Sequence, residues 1–131
     1  MSVRRYSGRC HCGAVRFEVE ADLGAGTVRC NCSICVMTRF WLVFVPAGNF
    51  RLVSGGERLA DYGFGPRRIR HRFCTVCGVK PFGMQADGSG IAVNVACLEG
   101  LTPGQLAELP ITYVDGARDR WDAAPAVTSY L

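Results

Sequence analysis

Seven of the eight cysteines in this 131-residue chain fall into three short clusters, and this grouping constrains the fold more than any other feature. The clusters are Cys10–Cys12, Cys30–Cys35 and Cys74–Cys77. Two cysteines one residue apart on an extended strand point to the same face. Two cysteines separated by two residues and followed by glycine form a turn that presents both sulfur atoms to one ion. The spacing therefore predicts metal binding.

A disulfide framework is the alternative interpretation of eight cysteines in a short chain. The segment Met1–Ser7 lacks the apolar stretch of a signal peptide, which favours a cytoplasmic location where thiols stay reduced. Cysteines so close in sequence also rarely pair with one another. We therefore favour metal sites over disulfides.

The number of cysteines predicts two zinc ions in different environments. Four sulfurs complete a tetrahedral site, and an ion that joins the first and third clusters would stabilise the fold by closing a long loop. The three remaining sulfurs leave one coordination position for water or substrate, as in catalytic zinc sites. The predicted structural site is Cys10, Cys12, Cys74 and Cys77, and the predicted open, catalytic site is Cys30, Cys32 and Cys35.

Other arrangements of these ligands stay open from the sequence. The middle cluster could share its sulfurs with either of the other two clusters. A fourth protein ligand, Cys97 or His71, would make the second zinc site structural as well, and that site could be only partly occupied. Without a ligand role, Cys97 is expected in the core and His71 is expected to hydrogen-bond beside Cys74.

The remaining sequence predicts a mainly β fold, because short runs alternate apolar and polar residues. We predict one domain over residues 1–131, built from short antiparallel strands with the zinc sites at strand ends. The run Phe40–Val45 is nearly all apolar and predicts a strand buried on both faces. One short helix is predicted, with Thr102 as its cap and Pro103 in its first turn. Trp121 and Tyr130 would anchor a C-terminal segment that wraps the domain.

The charge and hydropathy of the chain exclude some classes of partner. No apolar run approaches the about 18 residues that cross a bilayer, so we expect no membrane contact. The formal charge of +4 becomes +1 if two zinc ions add four charges and seven thiolates remove seven. The basic row Arg67–Arg72 lacks the interleaved aromatic residues of a single-strand binding surface, which disfavours nucleic acid. The oligomeric state is not set by these features.

Three motifs in one order carry a family resemblance. The segments Gly8–Phe17, Cys30–Cys35 and Phe73–Gly78 resemble the glutathione-dependent formaldehyde-activating enzyme family, and Val93–Gly100 is similar to its late strand. His71, two residues before Phe73, looks like the branch related to centromere protein V. The resemblance implies an Mss4-like fold and the division of cysteines given above.

The resemblance also implies an activity, that of a carbon–sulfur lyase that forms the adduct of glutathione and formaldehyde. Its partner would be a small-molecule thiol or thiol adduct. Three thiolates give a zinc site a net charge of −1, so a further thiolate needs basic groups nearby. Arg39 is the nearest in sequence, and Arg68, Arg70 and Arg72 are further candidates. The alternative is a non-catalytic zinc module that carries glutathione or binds nucleic acid or protein.

Overall fold

The computed structural model describes residues 2–131, which contain ten β-strands and two α-helices. The strands are β1 (Arg4–Arg9), β2 (Arg16–Ala21), β3 (Thr27–Cys30), β4 (Trp41–Pro46), β5 (Phe50–Ser54), β6 (Leu59–Tyr62), β7 (Ile69–Cys74), β8 (Phe82–Gln85), β9 (Gly90–Asn94) and β10 (Ile111–Val114). The helices are α1 (Ser33–Thr38) and α2 (Pro103–Ala107). The predicted mainly β fold is confirmed.

The strands form two sheets. The small sheet has the order β1-β2-β5, and the large sheet has the order β10-β3-β4-β9-β8-β7-β6. Neighbouring strands run antiparallel as predicted, except that β10 pairs with β3 in parallel, with Val114 opposite Cys30. This pairing brings the C-terminal part of the chain to the strand that ends in the middle cysteine cluster.

The core lies between the two sheets and is built around three aromatic rings. Phe50 of the small sheet stacks on Phe17 with ring centroids 5.3 Å apart and meets Phe82 of the large sheet at 4.6 Å. Gly8, opposite Phe17 across β1 and β2, leaves room for the ring, which a Cβ at that position would overlap. Such aromatic pairs contribute about 0.5–1.5 kcal/mol each beyond the burial of apolar area. The packing holds the strand ends that carry the cysteines at fixed positions.

The prediction of one short helix was wrong, because α1 forms within the middle cysteine cluster. The predicted helix is α2, where the Thr102 side chain accepts from the Gln105 N–H at 3.1 Å, and the Gln105 side chain accepts from the Thr102 N–H at 2.9 Å. Helix α1 contains β-branched residues, which lower helix propensity, and the sequence analysis assigned no helix or strand to this cluster. The helical turn has a local function, since it places Cys32 and Cys35 on one side.

The prediction that β4 is buried on both faces was also wrong in part. Leu42 and Val43 on opposite faces are buried, but Phe44 is 54% exposed. Leu42 is covered by a small cluster with Phe40 and Ala92, which does not extend over Phe44. Phe44 therefore lies on a part of the outer face of the large sheet that this cluster leaves uncovered.

Neither helix in the described part of the chain is long and apolar enough to cross a membrane.

Candidate metal centres

Four sulfur atoms from the first and third clusters meet at one point. The Sγ atoms of Cys10, Cys12, Cys74 and Cys77 all lie within 4.8 Å of one another. Cys12 Sγ is 3.6 Å from Cys10 Sγ and 3.7 Å from Cys74 Sγ. A zinc ion with sulfurs at about 2.3 Å in a tetrahedron separates neighbouring sulfurs by about 3.8 Å, whereas a disulfide separates them by about 2 Å. The spacing fits a zinc ion and excludes a disulfide.

The two turns that carry these four sulfurs are built alike. Gly13 and Gly78 each follow the second cysteine of their cluster, and both have φ of +81°. The Gly13 N–H donates to the Cys10 carbonyl at 3.1 Å, and the Gly78 N–H donates to the Cys74 carbonyl at 2.8 Å. This backbone conformation is unfavourable for a residue with a Cβ. Glycine therefore closes each turn and aims its two sulfurs at one point.

Backbone N–H groups stabilise thiolates in this four-sulfur site. The Val76 N–H donates to Cys74 Sγ at 3.4 Å, and the Cys77 N–H lowers the pKa of Cys74. Burial opposes ionisation of Cys77, but the N–H groups of Val79 and Cys12 lower the pKa of Cys77 to about 6. Because zinc binds the thiolate form, the backbone prepares these ligands for the ion.

The middle cluster brings three sulfurs together at the junction of β3 and α1. Cys30 is the last residue of β3, Cys32 is the N-cap of α1, and Cys35 lies in its first turn, with all three Sγ atoms within 4.8 Å. The thiols of Cys30 and Cys35 donate to the Cys32 sulfur, which lowers the pKa of Cys32 far below its usual value. The same interactions raise the pKa of Cys30 and Cys35. The three thiols therefore titrate as one coupled group.

No fourth protein ligand joins this three-sulfur site within residues 2–131. Burial raises the pKa of Cys97 to about 12, and the nearby thiols that affect it belong to Cys10 and Cys77 of the other site. His71 is hydrogen-bonded as predicted, but its Nδ1 atom lies 2.6 Å from Lys80 Nζ, and strand alternation turns its side chain away from Cys74. The arrangement fits a zinc ion with one position open to a ligand.

A cleft borders the three-sulfur site and contains the predicted Arg39. It is lined by Arg29, Cys30, Cys35, Val36, Arg39, Phe40, Tyr130 and Leu131. Arg39 ends α1 with φ of 56° and donates from Nη1 to the Tyr130 carbonyl at 2.8 Å. Tyr130 thus contacts the domain as predicted, although its side chain is exposed. Arg29, which the sequence analysis missed, precedes Cys30 and stacks over Trp41 with 5.0 Å to the ring centroid.

The other candidate arginines do not line this cleft. Arg70 and Arg72 both bind Asp61, with Nε to carboxylate distances of 2.8 Å each. Arg68 lies 3.4 Å from the carboxylate of Asp119. The single carboxylate of Asp61 offsets one of the two charges of Arg70 and Arg72, and Asp119 offsets that of Arg68. Arg39 is the only one of the four predicted arginines that lines the cleft.

The segment after β10 packs against the three-sulfur site, which the sequence analysis did not predict. The Asn31 side chain donates to the Asp115 carboxylate at 2.9 Å and accepts from the Ala117 N–H at 2.9 Å. A Cβ on Gly116 would overlap Cys30 Sγ and would lie 2.8 Å from the Trp121 ring. The only sequence signal was a glycine two residues after Ile111–Val114, a run that resembles a strand.

Lys80 is a second residue that the sequence analysis missed. Its Nζ atom lies 3.9 Å from the ring centroid of Phe40, which packs against Cys35. Burial lowers the pKa of Lys80 to about 8, while the charges of Cys35 and Cys32 act in the opposite direction. The signal that could have found it is that Lys80 is the only lysine in the chain and lies three residues after Cys77.

A protein family and a solved structure are similar to this chain. The family model described as glutathione-dependent formaldehyde-activating enzyme matches residues 5–114, which include all seven clustered cysteines. The crystal structure of a Rhodobacter sphaeroides protein is similar, with a TM-score of 0.71 and 39% sequence identity. That match covers 81% of this chain and 99% of the other.

Proposed function

This chain belongs to the glutathione-dependent formaldehyde-activating enzyme family, and we propose that it is a zinc-dependent carbon–sulfur lyase. In the proposed reaction a small thiol, with glutathione as the first candidate, adds to formaldehyde or a similar electrophile. The observation that carries the proposal is a three-sulfur site without a fourth protein ligand beside a cleft with two arginines. The four-sulfur site would hold a second, structural zinc ion.

The residues of the second site have separate roles in this proposal. Cys30, Cys32 and Cys35 would hold a zinc ion, which supplies an open position and lowers the pKa of an incoming thiol. Arg29 and Arg39 border the cleft, and guanidinium groups bind carboxylates such as those of a tripeptide thiol. The thiol sulfur then attacks the carbonyl carbon, and the carbonyl oxygen takes up a proton equivalent to the one that the thiol released.

Two finer assignments belong to the same proposal. His71, placed before Phe73 and Cys74, supports membership of the branch related to centromere protein V. The free thiols of all eight cysteines suit a reducing, cytoplasmic environment. The alternative of a nucleic-acid-binding module is disfavoured, because Arg70 and Arg72 are both held by the carboxylate of Asp61 and Arg68 pairs with Asp119. A glutathione carrier would use the same open position and differs only in lacking turnover.

Native mass spectrometry of anaerobically purified protein tests this proposal. We expect two zinc ions per chain and one bound glutathione, with loss of the glutathione adduct in Cys32→Ala. Cys97→Ala is the matched control, because it removes a cysteine outside both sites and should keep the adduct. NMR can measure the exchange between free ¹³C-formaldehyde and its glutathione adduct. This exchange should be faster with the wild-type protein than with Cys32→Ala.

Two results would contradict the proposal. Two zinc ions without any thiol adduct would show that the second site is closed to thiols. A bound glutathione without faster exchange would leave the carrier function and remove the lyase.

A further inference from the structure

The only lysine of the chain occupies a fixed position beside the three-sulfur site. The chain contains one lysine, Lys80, and 14 arginines. It lies between the third cysteine cluster and β8, and its carbonyl accepts a hydrogen bond from the Asn94 side chain at 3.0 Å. Its side chain is half-buried. The backbone at this position is therefore anchored to the central strand β9.

His71 holds the ammonium group of Lys80. The two nitrogen atoms, Lys80 Nζ and His71 Nδ1, are 2.6 Å apart, and because an ammonium group can only donate, Nδ1 accepts. His71 is buried and stacks on Phe64 with ring centroids 5.7 Å apart. Burial and the charge of Lys80 lower the pKa of His71 to about 4, so the ring is neutral at pH 7 and keeps Nδ1 free to accept.

Neighbouring residues contact the Lys80 side chain on two sides. Gly83 pairs with His71 across β7 and β8, and a Cβ at this glycine would lie 3.6 Å from Lys80 Cε. On the other side, the face of the Phe40 ring contacts the ammonium group in a cation–π arrangement. The stem and the charged end of Lys80 are thus both positioned by neighbouring residues.

Lys80 has no carboxylate partner within residues 2–131, where the ion pairs all involve arginines. Removing a charge from water is unfavourable unless an opposite charge compensates. The negative groups that act on Lys80 are the sulfurs of Cys35 and Cys32, and Cys35 packs against the same Phe40 ring. The three-sulfur site, which lacks a fourth protein ligand, therefore lies close to Lys80, which lacks a carboxylate partner.

We propose that Lys80, positioned by His71 and Phe40, is the counter-charge of the three-sulfur site. Three thiolates around a divalent ion leave a net charge of −1, which Lys80 brings to zero. With Lys80 in place, an incoming thiolate brings the summed charge of the ion, the thiolates and Lys80 from 0 to −1. Without Lys80, the sum would go from −1 to −2. Lys80 thus helps the site to keep its metal ion and to accept an anionic thiol. The second effect rests on the proposed function, whereas the first depends only on zinc binding.

Zinc transfer from the loaded protein to a coloured chelator tests the first effect. We expect a fast phase from the three-sulfur site, identified by its absence in Cys35→Ala, and a slow phase from the four-sulfur site. Lys80→Met should accelerate only the fast phase, by roughly 10- to 100-fold, as loss of a residue that supports metal ligands typically does. Lys80→Arg, which keeps the charge, should restore most of the wild-type rate.

Arg5→Met is the matched control, because it removes the same charge from an exposed position on β1. It should leave both phases unchanged. A Lys80→Met fast phase equal to that of the wild type would overturn the inference, and so would a wild-type protein that shows only the slow phase.

A second measurement needs no substitution at Lys80. Protein labelled with [¹⁵N]lysine gives one side-chain ammonium signal, because the chain has one lysine. The signal should shift between zinc-loaded wild type and Cys35→Ala, and should stay in place in Cys97→Ala. An unmoved signal in Cys35→Ala would contradict the inference even if Lys80→Met fails to fold. Failure of the proposed function would instead appear as the absence of a glutathione adduct in wild-type protein whose zinc transfer depends on Lys80.

Discussion

The two sulfur sites use the same ligand atoms but are built from different parts of the chain. The four-sulfur site joins two turns that are 62 residues apart, and it buries Cys10 and Cys74 completely. The three-sulfur site draws its ligands from one short segment, Cys30–Cys35, at the edge of a cleft. A site that ties distant segments together must be closed to stabilise them, whereas a local site can leave a position open. The difference is the one expected between a closed structural site and an open chemical one.

Removal of one ligand from each site gives the largest expected contrast. Cys77→Ala should unfold the protein, because structural zinc sites contribute about 10–16 kcal/mol of apparent binding free energy to folding at pH 7. Cys35→Ala should lose one zinc ion and keep the fold, because its site closes no long loop. Circular dichroism and the zinc content of the two variants measure this contrast. Equal loss of structure in both variants would refute the division into structural and open sites.

A substitution at Gly116 sharpens the comparison without removing a ligand. Gly116→Ala introduces a Cβ against Cys30 Sγ and the Trp121 ring, so it should weaken zinc binding at the three-sulfur site and leave the four-sulfur site filled. Gly48→Ala is the matched control, since a Cβ at Gly48 meets no atom within 4 Å in the described structure. A competition titration with a zinc chelator gives both affinities. Equal affinities in the two variants would show that the contact with Gly116 does not hold Cys30.

The smallest expected effect comes from Asn31, whose side chain connects the three-sulfur site to the segment after β10. Asn31→Ala removes hydrogen bonds to Asp115 and Ala117 and should lower the free energy of unfolding by about 1–3 kcal/mol. Urea denaturation measures the change. A change below about 0.5 kcal/mol would mean that these hydrogen bonds contribute little, and that the parallel pairing of β10 with β3 alone places Gly116.

The parts that the sequence predicted are those that depend on neighbouring residues. The grouping of the sulfurs follows from spacings of one or two residues, and the cap at Thr102 follows from residues within one turn of α2. The role of these sulfurs as ligands stays a prediction. Helix α1 is an exception among local features, because three of its six residues are β-branched and lower helix propensity.

The parts that the sequence did not predict depend on strand pairing. Gly116 reaches Cys30 only because β10 lies parallel to β3, a pairing between segments 84 residues apart that a period-2 pattern does not specify. Lys80 reaches Phe40 through the order β4-β9-β8-β7 in the large sheet. The incorrect prediction for Phe44 on β4 has the same origin, because an apolar run does not show which residues of other strands cover it.

The distance along the chain between the two turns of the four-sulfur site also matters during synthesis. Cys74 leaves the ribosome 62 residues after Cys12, which at typical rates of translation is about 3–12 s later. Throughout that interval the first two thiols have no partners, whereas the three thiols of the middle cluster emerge almost together. If both sites bind zinc, the local site would capture its ion on the nascent chain first, and the four-sulfur site would be filled last.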